Sequence, residues 1–208
     1  MPSELTFYTN PFSRGRTIRW LLEELGIEYE TKIVEFRTGT TSPEFRAVNP
    51  MGKVPTIVHK ERVITESAAI CVYLAEEFPQ SGLAPTPQER ADYYRWLFFC
   101  AGPLEAAVYD QMIPHTPSEQ QQSASGYGSL ERVMDALDVH LGTHSYFAGN
   151  RFTAADVYCG CQLFWGRKFN QTIRERTAVR EYVDRITDRP TWNRAQDIDG
   201  RVPDEDDK

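Results

Sequence analysis

The chain is poor in the features that mark membranes, disulfide frameworks and metal centres. No apolar run approaches the ~18 residues a spanning helix needs, so a helical membrane protein is excluded. The opening Met-Pro-Ser-Glu-Leu-Thr has no basic segment followed by an apolar one, so no secretory leader is expected and the protein is read as cytoplasmic. Basic charge is scarce too: 23 Lys and Arg stand against 30 Asp and Glu, a net charge of −7. Phosphate binding needs a basic face, so neither nucleic acid nor an anionic membrane is an expected partner. Four cysteines, Cys71, Cys100, Cys159 and Cys161, lie on apolar-looking stretches without Cys-x-x-Cys or zinc spacing and are expected as buried thiols. His59, His115, His140 and His144 are equally sparse. His140 and His144 stand four apart without the accompanying Glu of a zinc helix, so no metal site is expected.

What is present is ordinary for a globular protein. The apolar fraction is 40% and the charged fraction 25%, which argues against disorder. A chain of 208 residues holds one or two domains with a sizeable core.

Leu5 to Thr9 alternates as a strand does, and Asn10-Pro11 ends it. Ser13 to Leu25 spaces Ile18, Leu21, Leu22 and Leu25 as a helix, with Gly26 as its C-cap. A second strand is expected over about Tyr29 to Val34. Ser42-Pro43 opens a short helix that turns Phe45 and Val48 inward and closes before Asn49-Pro50. Thr56 to Val58 and Arg62 to Ile64 form a hairpin, and a helix runs from Ser67 to Phe78. Strands alternating with helices imply a sheet with helices packed on it.

Pro79 to Pro87 holds three prolines and a glycine, so residues 81–87 are read as a linker between a first domain of residues 1–80 and a second of 88–208. From there the periodicity is helical only. Thr86-Pro87-Gln88-Glu89 is a capping box with proline at its first helical position, and Gly102-Pro103 should interrupt the helix it starts. Thr116-Pro117-Ser118-Glu119 repeats the signature after Pro114. Leu130, Val133, Met134, Leu137 and Leu141 form the next stripe, and Val179, Tyr182, Val183 and Ile186 another. Thr153-Ala154-Ala155-Asp156 is a further capping box, flanked by Phe152 and Val157 as a hydrophobic staple. The acidic tail, about residues 200–208, is expected to fray.

The most informative stretch is Asn49 to Leu74. A proline is tolerated at the head of a strand, and an X-Pro bond is where a cis peptide is cheap, so Val54-Pro55 is a candidate cis bond. A cis bond there would turn the Val54 N–H and C=O outward, free to pair with an extended peptide. Glu66 and Ser67 stand where the next helix begins, and a helix N-terminus favours a carboxylate. Val54-Pro55 before a hairpin, followed by Glu66-Ser67, resembles the glutathione-binding half of the cytosolic glutathione transferases, and the Phe152 to Asp156 box is similar to one in that family's helical domain. The resemblance spans nearly the whole chain and, at the Ser13 turn, leans toward the bacterial, theta-like serine type. It implies an α/β plus all-α fold, with an N-terminal thioredoxin-like domain (β-α-β-α-β-β-α) followed by an all-helical C-terminal domain carrying part of the electrophile site, and a homodimer. The co-substrate it implies is glutathione, conjugated to a small hydrophobic electrophile without a metal.

A cysteine-like thiol has a pKa near ~8.5, and only its thiolate is nucleophilic. An enzyme using glutathione must therefore stabilise the anion. The resemblance places Ser13 at the turn where the family's serine donates a hydrogen bond to sulfur. On the residues alone Ser13 is an ordinary N-cap, and one hydroxyl can serve both roles. Tyr8 and Asn10 are rivals for the sulfur, while Arg14 and Arg16 add positive charge beside the helix start. Carried over by position, Lys53, Val54 and Pro55 hold the peptide part of glutathione, Glu66 and Ser67 hold its γ-glutamyl amine and carboxylate, and Arg37 or Lys53 meets the glycyl carboxylate. Tyr94, Trp96, Phe98, Tyr109 and Trp165 are available for an apolar pocket, and none is assigned. Two alternatives stay open: a glutathione-binding module without catalysis, and peroxide reduction or isomerisation on the same thiolate.

Overall fold

A computed structural model describes residues 4–113 and 117–202. The chain divides into two compact units: Met1–Ala84 with Arg189–Lys208, and Pro85–Asp188. No helix among the described residues is long and apolar enough to cross a membrane.

The first unit runs β1 (Leu5–Thr9), α1 (Gly15–Leu25), β2 (Glu30–Ile33), α2 (Pro43–Val48), β3 (Thr56–His59), β4 (Arg62–Thr65) and α3 (Ser67–Glu77). This is the expected thioredoxin-like order. The sheet order is β2-β1-β3-β4, with β1 parallel to β2 and the other pairs antiparallel. Alternation along β1 buries Leu5 and Phe7, and helical spacing in α1 buries Ile18, Leu21, Leu22 and Leu25; each such side chain contributes about 1.5–3 kcal/mol. Gly26, at φ 63°, ends α1 in the left-handed conformation and donates its N–H to the Leu22 carbonyl at 3.0 Å. Ser42 caps α2 by accepting the Phe45 N–H.

Register fixes which segments share an end of this sheet. Tyr8 pairs with Thr56, and Thr56 with Thr65, in one row across three strands. Because β3 runs against both neighbours, the segments after β1, before β3 and after β4 all leave the same end. Thr9 pairs with Ile33 in parallel, so the residues after β2 leave there too.

The second unit is helical: α4 (Arg90–Phe99), a π-helical turn (Cys100–Leu104), α5 (Glu105–Asp110), α6 (Glu119–Ala124), α7 (Leu130–Leu141), α8 (Ala154–Phe169), α9 (Gln171–Arg174) and α10 (Thr177–Thr187). Its stripes bury Val133, Met134 and Leu137 of α7 and Val179, Tyr182, Val183 and Ile186 of α10, as their spacing requires. Pro103 lies inside the π-helical turn, where an interruption is expected. Asp156 caps α8 in the expected box. Its carboxylate accepts the N–H of Phe147 at 2.9 Å and of Thr153 at 2.8 Å, and the hydroxyls of Thr153 at 3.0 Å and Tyr182 at 2.9 Å. All four cysteines are buried thiols.

Two expectations need correction, and one lies outside the described residues. The box at Thr86 is half formed: Glu89 accepts the Thr86 N–H at 2.8 Å, but α4 starts at Arg90. The Glu89 carboxylate is also held by Arg151 at 2.8 and 2.6 Å, which holds it below the usual carboxylate range. The signature expected at Thr116 after Pro114 falls on residues 114–116, which lie outside the described residues, and α6 opens with a capping box of Ser118 and Gln121. Finally, α11 (Pro190–Asp199) is a helix the sequence pattern did not reveal, and it packs on α1 in the first unit. Trp192 meets Trp20 edge to face at 4.9 Å, and Arg189 forks onto Glu24 at 2.6 and 2.8 Å. Where the sequence assigns residues 88–208 to one helical domain, the chain's last helix joins the sheet-bearing unit. Of the acidic tail, residues 203–208 are outside the described range.

Candidate active site

The turn after β1, the segment before β3 and the start of α3 share one end of the sheet, and they carry Ser13, Lys53 to Pro55, and Glu66 with Ser67. The structure thus gathers the residues singled out in the sequence on a single edge of one unit.

Asn10 builds the first of these segments. It is 4% exposed, donates its amide to the Val34 carbonyl at 3.1 Å and accepts the Phe12 N–H at 3.0 Å. Its side chain is thereby engaged in building the turn. Ser13 is half-buried. Its hydroxyl donates to the Asn10 carbonyl at 2.7 Å and accepts the Gly15 N–H at 2.9 Å. It therefore does satisfy an orphan N–H at the start of α1, although the helix begins two residues later than the spacing predicts. Gly15 has no room for a side chain: a Cβ there would stand 1.9 Å from Thr9 Oγ1 and 2.9 Å from Ser13 Oγ. Phe12 is 87% exposed beside it. Tyr8 lies on β1 with its ring 5.6 Å from that of Phe45 and the Lys32 ammonium 5.5 Å from its centre, packed on the sheet.

The second segment is held by Asn49, which the sequence reading passed over. Asn49 is 3% exposed and donates to the Lys53 carbonyl at 2.8 Å and to Thr56 Oγ1 at 3.0 Å. Thr56 in turn donates to the Lys53 carbonyl at 3.0 Å. The Val54-Pro55 bond is cis, and the β3 ladder begins only at Thr56, so Val54 lies outside it. Lys53 is exposed and Val54 half-exposed. Gly52 makes the turn possible: its φ is +62° and a Cβ there would meet the Thr40 carbonyl oxygen at 2.4 Å. Gly52→Ala is expected to destabilise the protein by more than about 1 kcal/mol, since neither the backbone conformation nor the space suits alanine. A urea titration measures this, and an unchanged midpoint would show the loop free to move.

The third segment contains a strained residue. Glu66 has φ 65° and ψ 118°, a backbone region that non-glycine residues avoid and that costs of order 1–3 kcal/mol. It is exposed, precedes α3 and makes no side-chain cap. The carboxylate thus contributes nothing to the helix cap, and the N–H groups opening α3 are close by in sequence. An exposed carboxylate held in a strained conformation, beside a helix N-terminus that favours anions, can receive a zwitterion.

Models of known families cover both units. The N-terminal domain of glutathione S-transferase matches residues 3–76, and its C-terminal domain matches residues 106–185. Glutathione S-transferase D7 of Drosophila melanogaster is 35% identical over 167 residues, which is 76% of this chain and 72% of that protein. The chain belongs to the glutathione S-transferase family. Glutathione S-transferase is accordingly its enzyme class. Among solved structures of the family, a sphingomonad glutathione S-transferase complexed with glutathione superposes with a TM-score of 0.78 at 27% identity, covering 95% of this chain and 100% of that one. The family's fold also occurs in proteins named for other work. Elongation factor 1-gamma 3 of Oryza sativa subsp. japonica is 30% identical over 69% of this chain, which spans only 36% of that protein.

Proposed function

We propose that the chain conjugates glutathione to small hydrophobic electrophiles, with Ser13 as the residue that stabilises the thiolate. The observation that carries this reading is the row Tyr8–Thr56–Thr65, which brings the Ser13 turn, the Val54 edge and Glu66 to one end of the sheet. The tripeptide lies extended along Val54, pairing with its backbone groups in the manner of an added strand. Glu66 receives the γ-glutamyl ammonium and the Ser67 N–H the adjoining carboxylate; Lys53 or Arg37 meets the glycyl carboxylate. The sulfur then reaches the Ser13 hydroxyl.

In the structure that hydroxyl gives its proton to the Asn10 carbonyl. A thiolate competes well for it, because hydrogen bonds to a charged acceptor are about twice as strong as neutral ones. The Gly15 N–H continues to donate to the same oxygen, which leaves the hydroxyl proton as the one free to turn. The stabilised sulfur attacks an electrophilic carbon, forming the C–S bond as the leaving group departs. Phe12 offers exposed apolar surface beside the sulfur for such a molecule. Exposed Phe98, Tyr109 and Met112 of the second unit supply apolar surface suited to a homodimer.

A panel of aryl halides, epoxides, isothiocyanates and peroxides with glutathione tests the reading, and turnover of none would overturn it. Retention on immobilised glutathione without turnover would favour the second reading, a glutathione-binding module, which the likeness to elongation factor 1-gamma 3 recommends. Turnover of peroxides alone would point to reduction on the same thiolate. Glu66→Gln is expected to raise KM for glutathione roughly 10- to 100-fold while kcat changes little, since it removes one charge-assisted contact worth about 1.5–3 kcal/mol to bound substrate and transition state alike. Steady-state kinetics with glutathione varied would show this; a fall in kcat with unchanged KM would remove Glu66 from binding.

A further inference from the structure

Arg16 is 8% exposed in the first turn of α1, where the sequence suggests only a charge that could help the thiolate. Its guanidinium has a different arrangement. Nε donates to the Pro11 carbonyl at 2.5 Å, Nη1 to Gln196 Oε1 at 3.0 Å and Nη2 to the Asp199 carbonyl at 2.9 Å. Pro11 stands two residues before Ser13, and Gln196 and Asp199 belong to α11. One planar fork therefore joins the turn that carries Ser13 to the chain's last helix, in a geometry an ammonium cannot reproduce.

The far end of the fork is well anchored. Asp199 is the last residue of α11, so its carbonyl is among those without an intrahelical donor, and it lies at the end of the helix that attracts cations. One turn along α1, Arg19 donates to Asp199 Oδ1 at 3.1 Å, with both side chains almost wholly buried. Arg19 also donates to Tyr29 at 2.8 Å and to Thr31 of β2 at 2.9 Å. The end of α11 is thereby fixed to the sheet independently of Arg16. What Arg16 adds is the link from that fixed point to the Pro11 carbonyl.

We propose that Arg16 is a positioning residue for the Ser13 turn, and that it holds the turn by reference to the C-terminal end of α11. The inference rests on the reading of Ser13 as the thiolate donor. Its test uses the full chain with bound glutathione, titrating the ultraviolet absorbance of the thiolate against pH and measuring kcat and KM with an aryl halide. Arg16→Ala is expected to raise the apparent thiol pKa by about half a unit or more and lower kcat about tenfold, as small displacements of a reacting group do, with KM for glutathione changed less than threefold. Arg16→Lys is expected to stay impaired; full recovery would mean that charge alone matters and would overturn the proposal. Arg194→Ala, which removes the pair with Glu23 on the outer side of α11, is expected to lower the melting temperature and leave the titration unchanged. A folded Arg16→Ala with the wild-type titration would also overturn the proposal. If Arg16→Ala does not fold, Gln196→Ala decides: a smaller shift in the same direction supports the link, and none overturns it. Absence of the thiolate band in the wild type would instead sink the Ser13 reading itself, and this inference with it.

Discussion

Ser13→Ala is expected to raise the apparent pKa of bound glutathione by one to two units, a loss of roughly 1.4 to 2.7 kcal/mol of thiolate stabilisation. Below that pKa, at about pH 6.5, kcat/KM should fall by the same factor, roughly 10- to 100-fold. Well above it the variant should recover, because hydroxide then supplies the anion that the hydroxyl no longer favours. The substitution also removes a structural bond, since the Gly15 N–H loses its acceptor, at a cost of about 0.5–2 kcal/mol to the fold. Ser13→Thr separates the two effects by restoring both acceptor and donor. A pH profile of kcat/KM measures all three proteins. If alanine lowers activity equally at every pH, the damage is to the turn and Ser13 does not set the thiol pKa.

The second large effect concerns stability. Asp156→Ala is expected to cost at least about 3 kcal/mol, because several buried donors lose their acceptor together at about 1–3 kcal/mol each. That is a large share of the ~5–15 kcal/mol that holds a typical domain folded. The Phe147 and Thr153 N–H groups and the Tyr182 hydroxyl all point at this carboxylate. The isosteric Asp156→Asn gives the site its pH signature. Burial pushes the Asp156 carboxyl up to about 6, against the downward pull of its hydrogen bonds. A raised acid binds more protons folded than unfolded between its ordinary value near 3.8 and about 6. This group's contribution to stability is therefore fullest below that window and is lost as pH rises through it. Asparagine does not titrate, so the melting temperature of Asp156→Asn should decline less than that of the wild type from about pH 4 to 6. Parallel curves would show the carboxylate fully ionised throughout that range.

Much of the candidate site's geometry was legible because its signals are local. Val54-Pro55, the hairpin and Glu66-Ser67 are neighbours in sequence and perform their geometry within a few residues. The Asp156 box is likewise read from four consecutive positions. What escaped depends on partners far along the chain. In α11, the buried face is Trp192, Ala195, Gln196 and Asp199; half of it is polar, so no apolar stripe betrays a helix. Those polar groups are buried only because Arg16 and Arg19 wait on α1 to receive them. Asn10 and Asn49 look like turn residues and are, yet the carbonyls they hold, of Val34 and Lys53, cannot be guessed from composition. The backbone strain at Glu66 has no sequence mark either, since glutamate is not a residue expected at φ 65°.

The return of Arg189–Lys208 to the unit that begins the chain has a consequence for biogenesis. Domains generally condense as units while the polypeptide is being synthesised, the N-terminal one first. Here Trp20 and the two buried arginines of α1 must wait for partners translated at least 171 residues later, so the helical unit can finish while its predecessor is still incomplete. A stop codon placed just before α11 would leave Ser13, Val54 and Glu66 in the product, yet would strip Arg16 of Gln196 and the Asp199 carbonyl and Arg19 of the Asp199 carboxylate.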